Sequence, residues 1–539
     1  MRRQSASTLW RGALAICATF LFGSAAQADE ASCAAMATKA LVPSEIALPN
    51  AGAKVTKAEW VATQGPSVAY CKLIGEIISI DKTAHPVLFQ VNLPANWNGK
   101  AVQYGGGGLN GTLITGLATL RDQPPVIPTP INQGYVTFGT DAGHPNAKPD
   151  IQIFWSNAEE SENHGFAAYK KTHDVARALL TAYYGRKPAR MYFFGGSEGG
   201  REAMGSLQRF PQDYDGVVAT VPAIHWIGGK LANNSYWSKV QAGGWMNAAK
   251  LQLLQKATAD VCDDMDGLKD GIISRYDGCL KRFKINTLRC PNGADTGDAC
   301  LSAAQIALVN AFRSPYRYGF PIANGFTQFG PLSVGGEAME GAVNNWVVDD
   351  DKKPSDDLGQ SHYGPGTVRF LITGDPQHRG DIDLNAYKER ILSASKLMDN
   401  TNPDLSPFLA RGGKLIMKEN TADYTVSPAG VFAYYDQVVK TMGKDKVDSF
   451  IRFYVNPGVN HQGNGTAGDG SPIPDRVDLL GELDRWVESG KAPGELTVTS
   501  YDKTTPLSSR PMCLYPRYPH YDGRGDPRLA SSFSCRKAR

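Results

Sequence analysis

No block of like charges stands out along this 539-residue chain, and 56 basic residues against 53 acidic leave a formal net charge of only +3. Nucleic acid and anionic bilayers select for a concentrated basic surface, so neither is indicated as a partner. Past the N-terminus no stretch is long and apolar enough to cross a bilayer, and no membrane association is expected. Internal repeats and low-complexity tracts are absent, which sets aside solenoids and arrays. No C-x-x-C spacing occurs among the nine cysteines, so thiolate metal sites are poorly supported. No G-K-[ST] follows the tetraglycine at 105–108, which excludes a P-loop phosphate cradle. What is present, 42% hydrophobic and 20% charged residues, describes a globular protein with material for a large core.

The N-terminus reads as a secretory signal peptide over residues 1–28. Arg2, Arg3 and Arg11 precede an apolar run at 12–22, and Ala26-Gln27-Ala28 supplies a small-x-small cleavage pattern. A retained anchor is the alternative. The expected location is therefore secreted or periplasmic. Removing the leader with Cys17 leaves eight of nine cysteines, an even number suited to an oxidising compartment. Spacing cannot fix their pairing. Proximity in sequence favours Cys33 with Cys71, Cys262 with Cys279, Cys290 with Cys300, and Cys513 with Cys535.

Apolar runs predict strands at 87–93, 101–104, 135–139, 191–194, 414–417 and 450–455, and helical spacing predicts helices over 166–184 and 479–486. Alternating strands and helices imply an α/β fold with a parallel sheet. From about 224 to 404 the chain turns rich in Trp, Asn, Gly, Asp and Pro, with three or four short helices expected and no strand series. Because strand patterning resumes afterwards, that stretch is expected to be a lid domain inserted into a core formed by 29–223 and 405–539.

The strand Met191-Tyr192-Phe193-Phe194 runs straight into Gly195-Gly196-Ser197-Glu198-Gly199-Gly200-Arg201, with a helix expected from Glu198. Strand, Gly-flanked serine and helix together make a G-x-S-x-G nucleophile elbow, which strains the serine backbone and pushes its hydroxyl toward solvent. An incidental serine in a Gly-rich turn is the plainer alternative. Such an elbow needs an acid and then a histidine on loops after later strands. Asp423 follows the strand at 414–417, and His461, in Pro457-Gly458-Val459-Asn460-His461, follows the one at 450–455. His520 is the other late histidine and sits in a Pro/Tyr/Arg tail. The backbone N–H groups of Glu198 and Gly108 are the expected oxyanion donors.

A second signal runs from Asp263 to Ile272. Three carboxylates, Asp263, Asp266 and Asp270, with Gly267 and Gly271 and the carbonyls of Leu268 and Ile272, suit Ca²⁺, a hard cation that takes six to eight oxygens. A solvated acidic turn is the alternative.

These residues resemble the tannase/feruloyl esterase family, which includes mono(2-hydroxyethyl) terephthalate hydrolases. The resemblance covers nearly all of the expected mature chain. It rests on the elbow through Glu202, Arg209-Phe210-Pro211, Tyr214-Asp215-Gly216, Thr140-Asp141-Ala142-Gly143-His144, the run from Cys262 to Gly271, and the His461 motif. It implies an α/β-hydrolase core with a large inserted lid carrying a calcium site, a Ser197, Asp423 and His461 triad, and the four disulfides above. It implies as calcium ligands the five residues Asp263, Asp266, Leu268, Asp270 and Ile272. The implied activity is a serine carboxylic-ester hydrolase acting on small esters of hydroxycinnamoyl (feruloyl-type) acids. Tannase action on galloyl esters and terephthalate monoester hydrolysis are same-class alternatives; a secreted calcium-bound binding protein with a vestigial triad is the alternative from another class. Arg369 is the candidate for a substrate carboxylate, and Trp226, Trp237, Trp245, Trp346 and Tyr363 for an aromatic pocket. In one respect the chain departs from the family. Positions that commonly hold a cysteine pair beside the catalytic serine and histidine are Gly196 and Gln462 here, which implies that packing and hydrogen bonds hold those loops.

Overall fold

A computed structural model describes Met1 and residues 28–146, 151–339 and 363–537. The expected signal peptide falls, Met1 and Ala28 aside, outside the described residues, as does Trp346.

Twelve strands form one sheet. In chain order they are β1 (Ala40–Leu41), β2 (Ala53–Val61), β3 (Tyr70–Ile77), β4 (Val87–Pro94), β5 (Lys100–Tyr104), β6 (Val136–Thr140), β7 (Arg190–Gly196), β8 (Gly216–Thr220), β9 (Lys414–Asn420), β10 (Ile451–Asn456), β11 (Leu496–Asp502) and β12 (Thr505–Leu514). Across the sheet they run β1-β2-β3-β4-β6-β5-β7-β8-β9-β10-β12-β11. The centre, β6 to β10, is parallel throughout. Both flanks are antiparallel. The expected parallel sheet is thus only the middle of a mixed one, and β4 pairs antiparallel with β6. Successive antiparallel strands need only turns between them, whereas each parallel pair needs a crossover of a dozen or more residues.

Helices used below are α1 (Ala168–Tyr184), α2 (Glu198–Arg209), α3 (Trp226–Lys239), α4 (Ala248–Cys262) and α5 (Leu479–Ser489). Side chains of the central strands alternate between two faces, as the period of two requires. Ala101, Met191, Phe193, Val217 and Ala219 pack with Val175 and Leu179 of α1 and Met204 of α2. Val102, Tyr192, Phe194 and Val218 pack on the opposite face with Leu480, Leu483 and Trp486 of α5. Gly185 and Gly490, at φ +70° and +71°, end α1 and α5 in the left-handed conformation that glycine adopts freely.

Between β8 and β9 the chain builds a second apolar cluster, with Trp226, Ile227, Leu251, Leu254, Leu308, Phe312 and Met398 among its members. This stretch holds more helix than expected, including α3, α4, Ala303–Phe312 and Lys388–Met398, and one two-stranded ribbon of Tyr316–Arg317 with Gln328–Phe329. Disulfides join Cys33 to Cys71, Cys262 to Cys279, Cys290 to Cys300 and Cys513 to Cys535, the pairs that proximity favoured.

Candidate active site

Strand β7 delivers Ser197 at φ +60°, ψ −120°, and α2 opens at the next residue. A residue with a Cβ resists this conformation, which persists only where its surroundings over-determine it. Glycines at the crossing of β7, α2 and the 105–108 loop let the backbones meet. A Cβ on Gly195 would lie 2.0 Å from the Gly199 carbonyl oxygen, and one on Gly199 would lie 2.6 Å from that of Gly106. The turn is pinned by Ser197 N–H donating to the Thr220 carbonyl at 3.0 Å and Gly199 N–H to that of Gly106 at 3.1 Å.

Three side chains far apart in sequence meet here. His461 Nδ1 lies 2.6 Å from Asp423 Oδ2, and His461 Nε2 lies 2.8 Å from Ser197 Oγ. Asp423 also accepts from the Thr425 and Val426 amides at 2.7 and 2.8 Å, so its carboxylate is fixed in orientation and fully buried. That carboxylate favours the tautomer with the proton on Nδ1, leaving Nε2 to accept from the Ser197 hydroxyl. The His461 loop is held by hydrogen bonds from the Asn420 side chain to the Asn460 carbonyl and from the Gln462 and Asn464 amides to Asn460 Oδ1, at 2.8 to 3.0 Å. At the other position of the expected cysteine pair, a Cβ on Gly196 would lie 2.5 Å from Arg121 Cδ, so the Arg121 side chain fills that space.

The amides of Gly106 and Gly107 are committed to Glu202 Oε2 and Asn110 Oδ1. Those of Gly108 and Glu198 make no hydrogen bond among the described residues, and both residues border the cleft beside Ser197. The Glu198 side chain turns away. It accepts from Arg201 Nη2 at 2.5 Å and from Trp226 Nε1 at 3.1 Å, and Arg201, itself fully buried, reaches the His164 carbonyl at 2.7 Å. Burial pushes the Glu202 carboxyl up to about 7, although it accepts from Gly106 and Asn110.

The cleft over Ser197 encloses about 310 Å³ and is walled by Trp226, Tyr363, Thr425 and Val426, with Arg121, Lys230 and Gln462 also at its border. A small side cavity of about 30 Å³ shares Ala223, Trp226, Lys230, Thr425 and Val426 with it and adds Phe329 and Val431. Of the expected aromatic wall, Trp226 and Tyr363 border the cleft. Trp237 borders a different cavity, and Trp245 packs at the edge of the second apolar cluster. Arg369, the candidate for a substrate carboxylate, lines the cavity with Trp237, His378 and Arg379 and is not among the residues lining the Ser197 cleft. The cations at the cleft, Arg121 and Lys230, gave no sequence signal, since each stands alone in an unremarked loop or helix.

In the 263–272 loop, Asp263 accepts from the Gly271 amide at 3.0 and 2.9 Å, and Asp270 accepts from the Ile272 amide at 3.1 Å and from Arg510 at 2.5 Å. One Asp266 oxygen accepts from the Leu268 amide at 3.2 Å; the other is buried without a hydrogen bond. Burial raises the Asp263 carboxyl and pushes that of Asp266 up to about 7. The three carboxylates are not drawn within 4.8 Å of one another as a trio, so a cation would also draw on backbone carbonyls. An all-oxygen donor set with an orphaned carboxylate oxygen fits a hard cation.

A family model described as tannase and feruloyl esterase matches residues 71–536. The chain belongs to the tannase and feruloyl esterase family. An uncharacterized esterase of Agrobacterium fabrum is 35% identical over 93% of this chain and 92% of its own length. A mono(2-hydroxyethyl) terephthalate hydrolase of Piscinibacter sakaiensis is 28% identical over 90% and 89%. A probable feruloyl esterase of Arthroderma benhamiae is 30% identical over 83% and 81%. The fold matches that of feruloyl esterase B from Aspergillus oryzae, with a TM-score of 0.77 at 23% identity, covering 94% of this chain and 99% of that one. This member of the family is a carboxylic-ester hydrolase.

Proposed function

We propose that this chain is a secreted serine esterase that hydrolyses small esters of aromatic acids through an acyl-enzyme on Ser197. The observation that carries the reading is the continuous hydrogen-bonded line from Ser197 Oγ through His461 to Asp423, at 2.8 and 2.6 Å, opening on a cleft. Ser197 Oγ attacks the ester carbonyl while His461 Nε2 takes its proton. The proton then passes to the leaving alcohol oxygen. Asp423 holds the imidazole and stabilises its cation. The uncommitted amides of Glu198 and Gly108 receive the negative charge of the carbonyl oxygen, each worth about 3 kcal/mol in such a site. A water, deprotonated by His461, then releases the acid and restores the serine.

The aromatic preference is supported by Trp226 and Tyr363 at the cleft. Hydroxycinnamoyl esters are the proposed substrates, with galloyl esters and terephthalate monoesters as alternatives drawn from relatives' names. The mixed sheet and elbow support an α/β-hydrolase core of 29–223 and 405–539, and the separate apolar cluster supports reading 224–404 as its lid. Calcium is proposed at Asp263, Asp266 and Asp270 and the carbonyls of Leu268 and Ile272. When bound it would neutralise these carboxylates and fix the loop, with no part in the bond-making steps. Four disulfides support an extracytoplasmic location.

A serine-reactive fluorophosphonate should label the wild-type protein and not Ser197→Ala, and a panel of methyl ferulate, methyl gallate and a terephthalate monoester should rank the acyl groups. A wild-type protein that neither labels nor cleaves any of the three would leave the triad vestigial and the reading wrong.

A further inference from the structure

Among the described residues, two cations border the Ser197 cleft without a counter-ion. Lys230 Nζ lies 4.8 Å from the centre of the Trp226 ring and 4.6 Å from that of Tyr363, and it makes no ion pair with a described carboxylate. The acid whose charge acts on it is Glu198, whose two oxygens are already taken by Arg201 and Trp226. Arg121 stands beside Gly196 and Gln462, with Nε and Nη2 buried and making no hydrogen bond. Asp122 and Glu419 act on it. Asp122 is held by Lys418 at 2.8 Å, and burial drives the Glu419 carboxyl toward its neutral form. Among the described residues, then, neither cation is paired with a carboxylate in a salt bridge. A partly desolvated cation without an acceptor is costly, and a ligand carboxylate relieves that cost through charge-assisted hydrogen bonds. Lys230 borders both the cleft and the side cavity, so a substituent on a ring lying along Trp226 and Tyr363 comes within its reach.

We propose that this cleft selects esters that carry a free carboxylate, with Lys230 and Arg121 as the residues that determine the preference. The inference rests on the serine-esterase reading and narrows its substrate class to anionic esters.

The test compares monomethyl terephthalate with dimethyl terephthalate, a neutral ester of the same ring, on the full chain. The readout is the ratio of kcat/KM, anionic over neutral. The wild-type ratio is expected at about tenfold or more, the scale of one charge-assisted contact. Lys230→Met or Arg121→Met is expected to lower it by a similar factor, chiefly through KM, while Lys230→Arg and Arg121→Lys keep most of it. A fall with either neutral substitution supports the proposal. A wild-type ratio near one, or a ratio that neither substitution moves, overturns it. Should the variants not fold, the wild-type protein still decides: benzoate should inhibit methyl benzoate hydrolysis well below the concentration at which benzamide does, and equal inhibition overturns the proposal. Fluorophosphonate labelling of Ser197 separates the two levels. Labelling and turnover without charge preference sink only this inference, whereas no labelling and no turnover sink the esterase reading itself.

Discussion

Ser197 holds φ +60°, a conformation costing about 1–3 kcal/mol for a residue with a Cβ, and the surrounding glycines absorb that cost by letting three backbones close on one point. Gly199 is the most exposed to test, because a Cβ there would meet backbone atoms of Gly105 and Gly106 at 2.6 to 3.0 Å and no side chain could swing aside. Gly199→Ala should push α2 away from the 105–108 loop, separate the Glu198 and Gly108 amides, and lower kcat about a hundredfold or more, the scale of a lost oxyanion donor. An alanine variant with wild-type kcat per labelled serine would contradict the close approach described here. At this scale the sequence was most legible where chemistry demands unusual residues. Strand, glycines and serine announced the elbow, and chain order picked out Asp423 and His461. Arg121 and Lys230 stayed hidden because a single basic residue is ordinary anywhere in a chain, and only the folded cleft brings these two to its border.

Helix α3 carries Trp226 and Lys230 to the cleft, and its entry is set by a buried acid from a distant part of the chain. Asp399 accepts from the Ile227 amide at 2.8 Å and from Ser395 Oγ at 2.5 Å. Burial pushes its carboxyl up to about 7, from an ordinary value of 3.8. A carboxyl whose folded value is raised stabilises the fold most below its unfolded value and loses that contribution as pH climbs through the folded one. Stability carried by Asp399 is thus lost between about pH 4 and 7. Asp399→Asn keeps an acceptor for Ile227 and removes the titration. The variant's stability relative to wild type should therefore rise between pH 5 and pH 8, on the order of 2 kcal/mol, in urea unfolding at the two pH values. A difference independent of pH would show that Asp399 is ionised in the fold. The helix itself was hard to read from sequence because it is buried on all sides, from Trp226 and Ile227 through Leu231, Asn233, Asn234 and Tyr236, so no polar face marks its period. By contrast α5 has a solvated face, α1 and α5 both end at left-handed glycines, and both were placed to within two or three residues. On the antiparallel flank the strand at 87–93 was legible and became β4, but its antiparallel pairing with β3 and β6 is a tertiary choice that its residues do not announce.

Across the whole molecule, the loop at 263–272 ties the inserted stretch to the far end of the chain. The Gly468 amide donates to the Asp270 carbonyl at 2.7 Å, Arg510 pairs with the Asp270 side chain at 2.5 Å, and Ile272 packs with Val459 and Ile473. Val459 stands two residues before His461, and its carbonyl accepts from the Ala422 amide at 3.0 Å, next to Asp423. The proposed calcium loop is therefore a buttress for the two loops that present the histidine and the acid. A cation that binds only the folded state stabilises it by about 2.7 kcal/mol at a hundred times its dissociation constant. Adding calcium to chelator-stripped protein should raise Tm by a few degrees and restore kcat, with a smaller effect from magnesium, whose near-ideal octahedral demand suits this loop less well. Asp266→Asn should abolish the rise by neutralising the carboxylate that owns the orphaned oxygen. If stripped and calcium-loaded protein melt together, with elemental analysis verifying the stripping, the acidic loop is a solvated turn whose contacts to Arg510 and Gly468 suffice to hold it. A Tm that rises while kcat stays level would instead detach the cation from the His461 loop and leave it a staple between the inserted stretch and the C-terminal part of the chain.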